Sequence, residues 1–552
     1  MEEKRWHSVW DPRVPEVYEP EKSMPEYIRD HAREMPGKIA LSFYGYDMSY
    51  RELDDAVSRF AGGLIRLGVR NGDRVALFMQ NCPQFVISYF GILRAGCVVV
   101  SLNPMFKQAE LEYELNDSGT ETLVTMDLLY PEIKKTGDRI RLNNIIVTSL
   151  RDYLPEKPVY SLPPEMEQPK VTFSNTLDFL QFLSGSPAEP VHRVDNLKDN
   201  VALLQYTGGT TGLPKGAVHT HYSLAHAAGT SRLWFNCNSD DVHMGVTPFF
   251  HIMGMLQCMC VAMATGGLLV ILSRFLPEAV AEAINKYKCT FWITNTTAII
   301  ALLEWPRISR YDLGSLRIVW YGGASMPDAV LDRLRQLVPG AVFGEGYGLT
   351  ETLSQGGVNT PLSRRKQGFI GIPNISVDLR IMDLKTGMKE LGPGEEGEII
   401  IKGPTVMAGY WNKPEETRDV LRGGWLYTGD IGRMDEEGYV GVVGRKKELI
   451  KCSGYSVFPS EVEGILHRHP AVSEVSVIGI PDPYRGETPK AFIVLRPEYK
   501  GKIREQYIVD WAKEEMAAYK RPRTVEFRDE LPKTATGKVL RRVLAEEERV
   551  KM

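Results

Sequence analysis

Between residues 50 and 69 the apolar positions Leu53, Val57, Phe60, Leu64 and Ile65 recur at helical spacing. Gly68 is placed to end that helix, and the unbroken apolar run RVALFM follows it as a strand. Pro83 opens a second helical stretch to about Arg94, and CVVVSL reads as another strand. Strands that are apolar at every position, alternating with helices, predict a largely parallel sheet covered on both faces.

From 155 to 190, proline, serine and acidic residues break this pattern, which predicts a surface excursion. The run VALLQ at 201–205 then resumes strand character. Near the C-terminus the strands EVSVIGI and KAFIVLRP and a helix around Gln506 to Tyr519 predict a small independent unit. The charged stretch GRKKE at 444–448 lies where a hinge is expected. The organisation expected is therefore α/β: a large domain of layered sheets over 1–443, a hinge at 444–447, and a small mobile α+β lid over 448–552. No internal repeat or low-complexity tract interrupts it.

One segment imitates a membrane span. Residues 252–272, IMGMLQCMCVAMATGGLLVIL, carry no charge over about twenty positions, the length a bilayer needs. Gln257 and the turn-like Thr265-Gly266-Gly267 divide it, so a buried helix, turn and LLVIL strand are expected instead. Composition agrees, with 43% hydrophobic and 25% charged residues over a length of 552 that exceeds one ordinary core. A net charge of -4 provides no electrostatic footprint for nucleic acid or an anionic membrane. It leaves peripheral membrane contact and dimer formation open. The start, MEEKRWHSVWDPRVP, lacks the basic flank and apolar stretch of a secretory signal, and the end, EEERVKM, has no lipidation box. Seven dispersed cysteines without a CxxC pair read as reduced core residues, which points to the cytoplasm.

Candidate chemistry begins at 206–216, YTGGTTGLPKG. A glycine-rich loop after a strand lets backbone N–H groups approach an anion, and Thr207, Thr210 and Thr211 add hydroxyl donors while Lys215 adds a counter-charge. Polyphosphate is the expected ligand. The Walker pattern needs glycine before the lysine and serine or threonine after it, whereas Lys215 stands between Pro214 and Gly216. Gly208 and Gly209 are adjacent, so a dinucleotide-binding GxGxxG is also absent.

Five more segments follow in order: YGGAS at 321–325, GYGLTE at 346–351, YTGD at 427–430, GRKKELIK at 444–451 and PKTATGK at 532–538. With the glycine loop, this set resembles the adenylate-forming superfamily of acyl-CoA synthetases, peptide-synthetase adenylation domains and luciferases, over nearly the whole chain. The resemblance implies two steps: a carboxylate attacks the α-phosphate of ATP to give acyl-adenylate and pyrophosphate, and a thiol then displaces AMP. ATP, Mg2+ and coenzyme A are the implied co-substrates and metal. It implies that Thr207, Gly208, Gly209, Thr210, Thr211, Gly212 and Lys215 hold the departing pyrophosphate, and that Glu351 carries the magnesium ion with Thr350 on the α-phosphate. Gly323, Ala324 and Ser325 would lie along adenine, Gly346, Tyr347 and Gly348 would supply a stacking face, and Asp430 and Arg445 would take the ribose. Lys538 would bridge the acyl carboxylate and α-phosphate, Lys447 would be the hinge pivot, and Gly454 and Tyr455 would meet the pantetheine path after the lid rotates.

The acid is read from His251, in TPFFHIMG, where amino-acid-activating relatives usually carry an aspartate. An imidazole cannot anchor an ammonium group, so an amino acid is not expected. Met255, Met259 and Met263, four apart, would align on one helical face and could line an acyl tunnel. The stretch GGWLYTGDIGRMDEEGYVGVVGRKK is similar to the fatty-acyl-CoA synthetase signature, with Gly444 departing from its usual aspartate. A medium- or long-chain fatty acid-CoA ligase is therefore the expectation. The alternatives are a coumarate- or benzoate-type aryl-CoA ligase and a ligase loading a carrier protein. A luciferase-like oxygenase and a non-catalytic nucleotide binder are the readings from other classes, the latter disfavoured by the presence of Lys538 and Glu351.

Overall fold

The structure is a computed structural model that describes residues 4–188, 194, 196–207, 213–322, 326, 328–354, 357–453, 455–534 and 537–551. Four sheets organise these described residues. In the first, Arg74–Phe78, Val98–Ser101, Thr122–Met126, Asn144–Thr148 and Val201–Thr207 run parallel, and Lys215–Thr220 turns back antiparallel to Val201–Thr207. The second sheet places Val242–Gly245, Leu268–Ile271, Phe291–Asn295, Ile318–Gly322 and Val342–Tyr347 in parallel register. Helices pack against both, as expected from strands apolar at every position.

The helix Tyr50–Arg66 shows why the local signals worked. Ser49 and Glu52 cap its N-terminus reciprocally, with the Ser49 N–H donating to the Glu52 carboxylate at 2.7 Å. Leu53, Val57, Phe60 and Leu64 are buried as their spacing predicts, whereas Ile65 is exposed. The second expected helix spans Pro83–Arg94.

The apolar segment at 252–272 divides as its interior suggested. Gly254–Cys260 forms a π-helical turn, Val261–Thr265 continues as α-helix, Gly266 turns the chain at φ 73°, and Leu268–Ile271 enters the second sheet. Among the described residues no helix is long and apolar enough to cross a membrane. All seven cysteines are buried and free.

Two sequence expectations need correction. The stretch 155–190 is more than a surface excursion: Tyr160, Met166, Phe179 and Phe182 are buried in the main core, and Leu177–Asp178 pairs at the edge of the first sheet. Pro163 is itself buried, and Glu165 is half-buried in an ion pair with Arg274. The C-terminal helix covers Glu505–Glu515 and ends before Tyr519.

A third sheet is wholly antiparallel, with Asp378–Met382, Gly397–Lys402, Trp425–Met434 and Val440–Arg445 among its strands. The fourth belongs to the small C-terminal unit. There the hairpin of Val472–Asp482 and Gly486–Leu495 packs Val477, Ala491 and Ile493 against Val462, Leu466 and Ile508 on one side, and Ile478 and Phe492 against Leu544 on the other. Between the third and fourth sheets lies only the short turn Lys446–Glu448. Arg541 braces that turn, donating to Glu448 at 2.5 Å and to Glu463 at 2.6 Å.

The N-terminal segment straps these parts together. Trp10 packs edge-on against Trp234 at 5.5 Å, Tyr18 shares a hydrogen bond with Tyr27 at 3.2 Å, and the Tyr18 N–H donates to Ser376 Oγ at 3.1 Å. Tyr18 fits because Gly229, in helix His221–Trp234, has no side chain: a Cβ there would lie 2.3 Å from a ring carbon. Gly229→Ala is expected to displace the strap and to cost about 1–3 kcal/mol by overpacking. Denaturant unfolding with limited proteolysis around Arg13 checks this; wild-type stability and cleavage would contradict the packing account.

Candidate active site

The glycine-rich segment closes a hairpin. Thr207 and Lys215 are register partners at the ends of antiparallel strands. Gly208, Gly209, Thr210, Thr211 and Gly212 lie outside the described residues, as do Gly323, Ala324, Ser325 and Gly454. At the described end of the loop, Lys215 Nζ sits 5.1 Å from the centre of the Tyr410 ring.

The second sheet brings the GYGLTE segment alongside. Gly346 and Tyr347 end the strand Val342–Tyr347, Gly346 pairs with Gly322 of the neighbouring strand, and Gly348 leads into the short turn Thr350–Thr352. His219, from the returning strand of the glycine hairpin, binds the Thr350 carbonyl through Nε2 at 2.8 Å. A carbonyl only accepts, so that nitrogen carries the proton. Glu351 is held at both ends: the Tyr410 hydroxyl donates to its carboxylate at 2.7 Å, and its carbonyl accepts from the Met407 N–H at 2.8 Å. Burial and the Glu351 carboxylate push the Tyr410 hydroxyl far above its usual range, which keeps it a donor.

From the third sheet come Asp430 and Arg445, opposite one another on paired strands. Arg445 Nε lies 2.9 Å from one Asp430 oxygen, and the Tyr347 hydroxyl donates to the other at 2.7 Å. Asp430 is 3% exposed. Burial raises its pKa, opposed by Arg445, the Tyr347 hydroxyl and Lys538. A neighbouring carboxylate shapes the turn: Glu398 accepts from the Gly429 N–H at 3.1 Å and from Lys446 at 2.8 Å.

Lys538 arrives from the C-terminal unit. Its loop is closed by the Thr534 N–H donating to the Lys538 carbonyl at 2.8 Å, and Gly537 rests against Thr297 at the start of helix Thr296–Glu304. Desolvation lowers the Lys538 pKa, with Arg445 adding to the effect and Asp430 and Glu448 opposing it. The same lysine acts on His251, whose pKa falls to about 4 through burial and then through Lys538. His251 Nδ1 accepts from the Met253 N–H at 3.3 Å, so the neutral ring keeps its proton on Nε2. The segment carrying His251 is tied to the glycine hairpin by Gln205, which donates to the Phe250 carbonyl at 3.0 Å.

The structure thus links Tyr347, Asp430, Arg445, Lys538 and His251 into one group, and joins Lys215 to Glu351 through Tyr410, with Thr350 next to Glu351. Others stand apart. Tyr455 is exposed and stacked on Tyr519 at 4.5 Å within the C-terminal unit, and Lys447 lies in the turn between the third and fourth sheets. Met255, Met259 and Met263 are fully buried; the first two lie in the π-helical turn, and Met255 Sδ accepts from the Tyr89 hydroxyl at 3.1 Å. Tyr410, His219 and Glu398 were missed by the motifs, because each acts through a pairing distant in sequence.

A magnesium ion fits Glu351 better than a protein cage. No group of three or more His, Cys, Asp or Glu side chains placed to hold a metal occurs among the described residues, and a hard cation held by one carboxylate and substrate phosphates needs none.

A carboxylate buried between a guanidinium and a phenol, with the charge of a lysine from a separate small unit acting on it, is a polar group assembled from three distant parts of the chain. The chain belongs to the AMP-binding enzyme family, whose pattern matches residues 28–411, with the AMP-binding enzyme C-terminal domain matching residues 461–538. It is 40% identical to a long-chain-fatty-acid–CoA ligase of Bacillus subtilis (strain 168), over 99% of this chain and 98% of that protein. It is 34% identical to a ligase of the same name from Escherichia coli O6:H1, over 100% and 99%. Among solved structures it resembles the anthranilate CoA ligase AuaEII in complex with anthranoyl-AMP, with a TM-score of 0.84 and 28% identity over 98% of each chain.

Burial of imidazoles gives the fold a defined acid sensitivity. His219, His221, His226, His243 and His251 are each lowered to about 4 by desolvation, and His31, His467 and His469 are lowered too. The unfolded chain takes up these protons below about pH 6.5 while the native state does not, so stability falls as pH drops from about 6.5 toward 4. Burial raises Glu114, Glu345 and Asp430 and works the other way, three groups against eight. Thermal unfolding between pH 7.5 and 4.5 is expected to show a steadily falling midpoint; a midpoint that holds or rises over that span would contradict the assignment.

Proposed function

We propose that the protein is an ATP-dependent fatty acid–CoA ligase: a fatty acid and ATP give acyl-adenylate and pyrophosphate, and coenzyme A then gives acyl-CoA and AMP. The observation that carries the reading is Lys538, held on the C-terminal unit by a loop that rests against Thr297 of the large part, where its charge acts on Asp430, Arg445 and His251. An ammonium at that point meets the negative charge that builds when a carboxylate attacks the α-phosphate. Asp430 has one oxygen on Arg445 and one on Tyr347, which fixes an acceptor for the ribose hydroxyls, while Tyr347 offers its ring to adenine. Lys215 and the hairpin from Thr207 to Gly216 face the pyrophosphate, whose departure needs donors already in place.

Magnesium brought with ATP would be held by Glu351, oriented by Tyr410, and would screen the phosphate charge. Neutral His251, with its proton on Nε2, can donate to the acyl carboxylate but offers no anion for an amine. The change of sheet between Arg445 and Ile450 supports a small unit beginning near residue 448, while Gly444 and Arg445, expected in the hinge, still pair within the third sheet; rotation about Lys447 would withdraw Lys538 and bring Gly454 and Tyr455 toward the pantetheine arm. The buried methionines Met255, Met259 and Met263 would have to repack to admit an acyl chain, which unbranched thioethers allow. A cytoplasmic setting suits seven free, buried cysteines.

The fatty acid is supported by full-length likeness to two long-chain-fatty-acid–CoA ligases. A second reading, an aryl-CoA ligase, is supported by the likeness to the anthranilate enzyme, at lower identity. AMP and pyrophosphate release with ATP, magnesium and coenzyme A, across straight-chain acids from acetate to oleate plus benzoate and coumarate, distinguishes them. Turnover is expected to peak among medium or long aliphatic acids and to require coenzyme A. Turnover with aromatic acids alone, or adenylation without transfer to coenzyme A, would overturn the proposal.

A further inference from the structure

Helix Gln108–Ser118 belongs to none of the motif segments, yet it touches both ends of the glycine hairpin. At the entry, the Tyr206 hydroxyl donates to Asp117 Oδ2 at 2.8 Å. At the exit, the Tyr113 hydroxyl donates to the Pro214 carbonyl at 2.8 Å. The second oxygen of Asp117 accepts from Lys413 Nζ at 2.7 Å. Both carboxylate oxygens are thus used, each by a different stretch of chain, and the Asp117 side chain is 10% exposed.

Lys413 matters because of what precedes it. Tyr410 and Gly409 pair antiparallel with Ala217 and Val218 of the hairpin's returning strand, and the Trp411 N–H donates to the Gly216 carbonyl at 2.8 Å. Tyr410 is the residue that orients Glu351. The carboxylate of Asp117 therefore ties the strand that enters the phosphate loop to the segment that aims the Glu351 carboxylate. Backbone pairing holds the entering and returning strands to each other as far as Thr207 and Lys215, and joins the Gly409–Tyr410 segment to the returning strand alone. The direct tie from the entering strand to Lys413 runs through the Tyr206 side chain and Asp117; the Tyr206 ring stands over Gly216, where a Cβ would lie 3.2 Å from it.

We propose that Asp117 is a positioning residue that locks the phosphate-binding hairpin and the Glu351 carboxylate into one frame, so that the polyphosphate end of ATP and its cation are gripped together. The proposal rests on the assignment of this cleft to ATP. It requires a loss confined to ligands that carry the β- and γ-phosphates. AMP, which lacks the β- and γ-phosphates that the hairpin would hold, should be indifferent to Asp117. A merely structural role would weaken both nucleotides alike. Charge-assisted hydrogen bonds on both oxygens, linked in a chain from Tyr206 to Lys413, are the kind whose removal is felt at a distance of several residues.

The test is isothermal titration calorimetry of the full-length protein with AMP and with ATP plus magnesium. Asp117→Asn keeps the shape and an acceptor for Tyr206 but removes the charge facing Lys413. It should weaken ATP–magnesium binding about tenfold and leave AMP binding within about twofold, the size expected for one charge-assisted contact. Lys413→Met and Tyr206→Phe should each shift the ATP affinity in the same direction, and they carry the test if Asp117→Asn does not fold. Unchanged ATP binding, or equal losses for ATP and AMP, would overturn the proposal. A wild-type protein that binds ATP but releases no pyrophosphate with any acid would sink the ligase reading and leave this comparison decisive.

Discussion

The organisation of the cleft depends on one buried carboxylate. Asp430 is almost wholly removed from solvent, and burial alone would disfavour its charge. It remains tolerable because Arg445 lies across the antiparallel ladder at 2.9 Å and the Tyr347 hydroxyl reaches it at 2.7 Å. Those partners come from the third and second sheets respectively, so satisfying one charge fixes two layers relative to each other. Lys538, from the small C-terminal unit, joins the same electrostatic group. The active-site geometry is a consequence of compensating that charge.

A second set of contacts holds the glycine hairpin. His219 from the glycine hairpin grips the Thr350 carbonyl, Tyr410 grips Glu351, and both residues sit on strands that pair with each other. The hairpin is therefore joined to the turn that follows Tyr347 by side chains on paired backbone. Between the Asp430 group and the glycine hairpin, the segment from Tyr347 to Glu351 is the common element. Its brevity leaves little freedom for one side to shift without the other.

Much of this was legible in the sequence, and what was legible was local. Helix Pro83–Arg94 and the strands around it follow from apolar spacing and an opening proline, and the turn at Gly266 was readable because threonine and two glycines interrupt an apolar run. The motif residues Tyr347, Asp430, Arg445 and Lys538 were identifiable from order along the chain, though nothing in that order says that Tyr347 and Asp430 share a hydrogen bond. Tyr410 and His219 carried no signal, since their roles exist only through register. The burial of Tyr160 and Phe179 was also hidden, because the many prolines and acids of that stretch dominated its composition.

The central claim is that Lys538 acts in adenylation from the position seen here, and that the thioester step proceeds with Lys538 withdrawn. The most direct measurement is single-turnover kinetics of the two half-reactions in Lys538→Ala, the first from acid and ATP, the second from supplied acyl-adenylate and coenzyme A. The account predicts that adenylation falls by at least about a hundredfold, the scale of a lost transition-state charge contact, while thioester formation stays within about threefold of wild type. Equal losses in both half-reactions, or an unaffected adenylation rate, would contradict it.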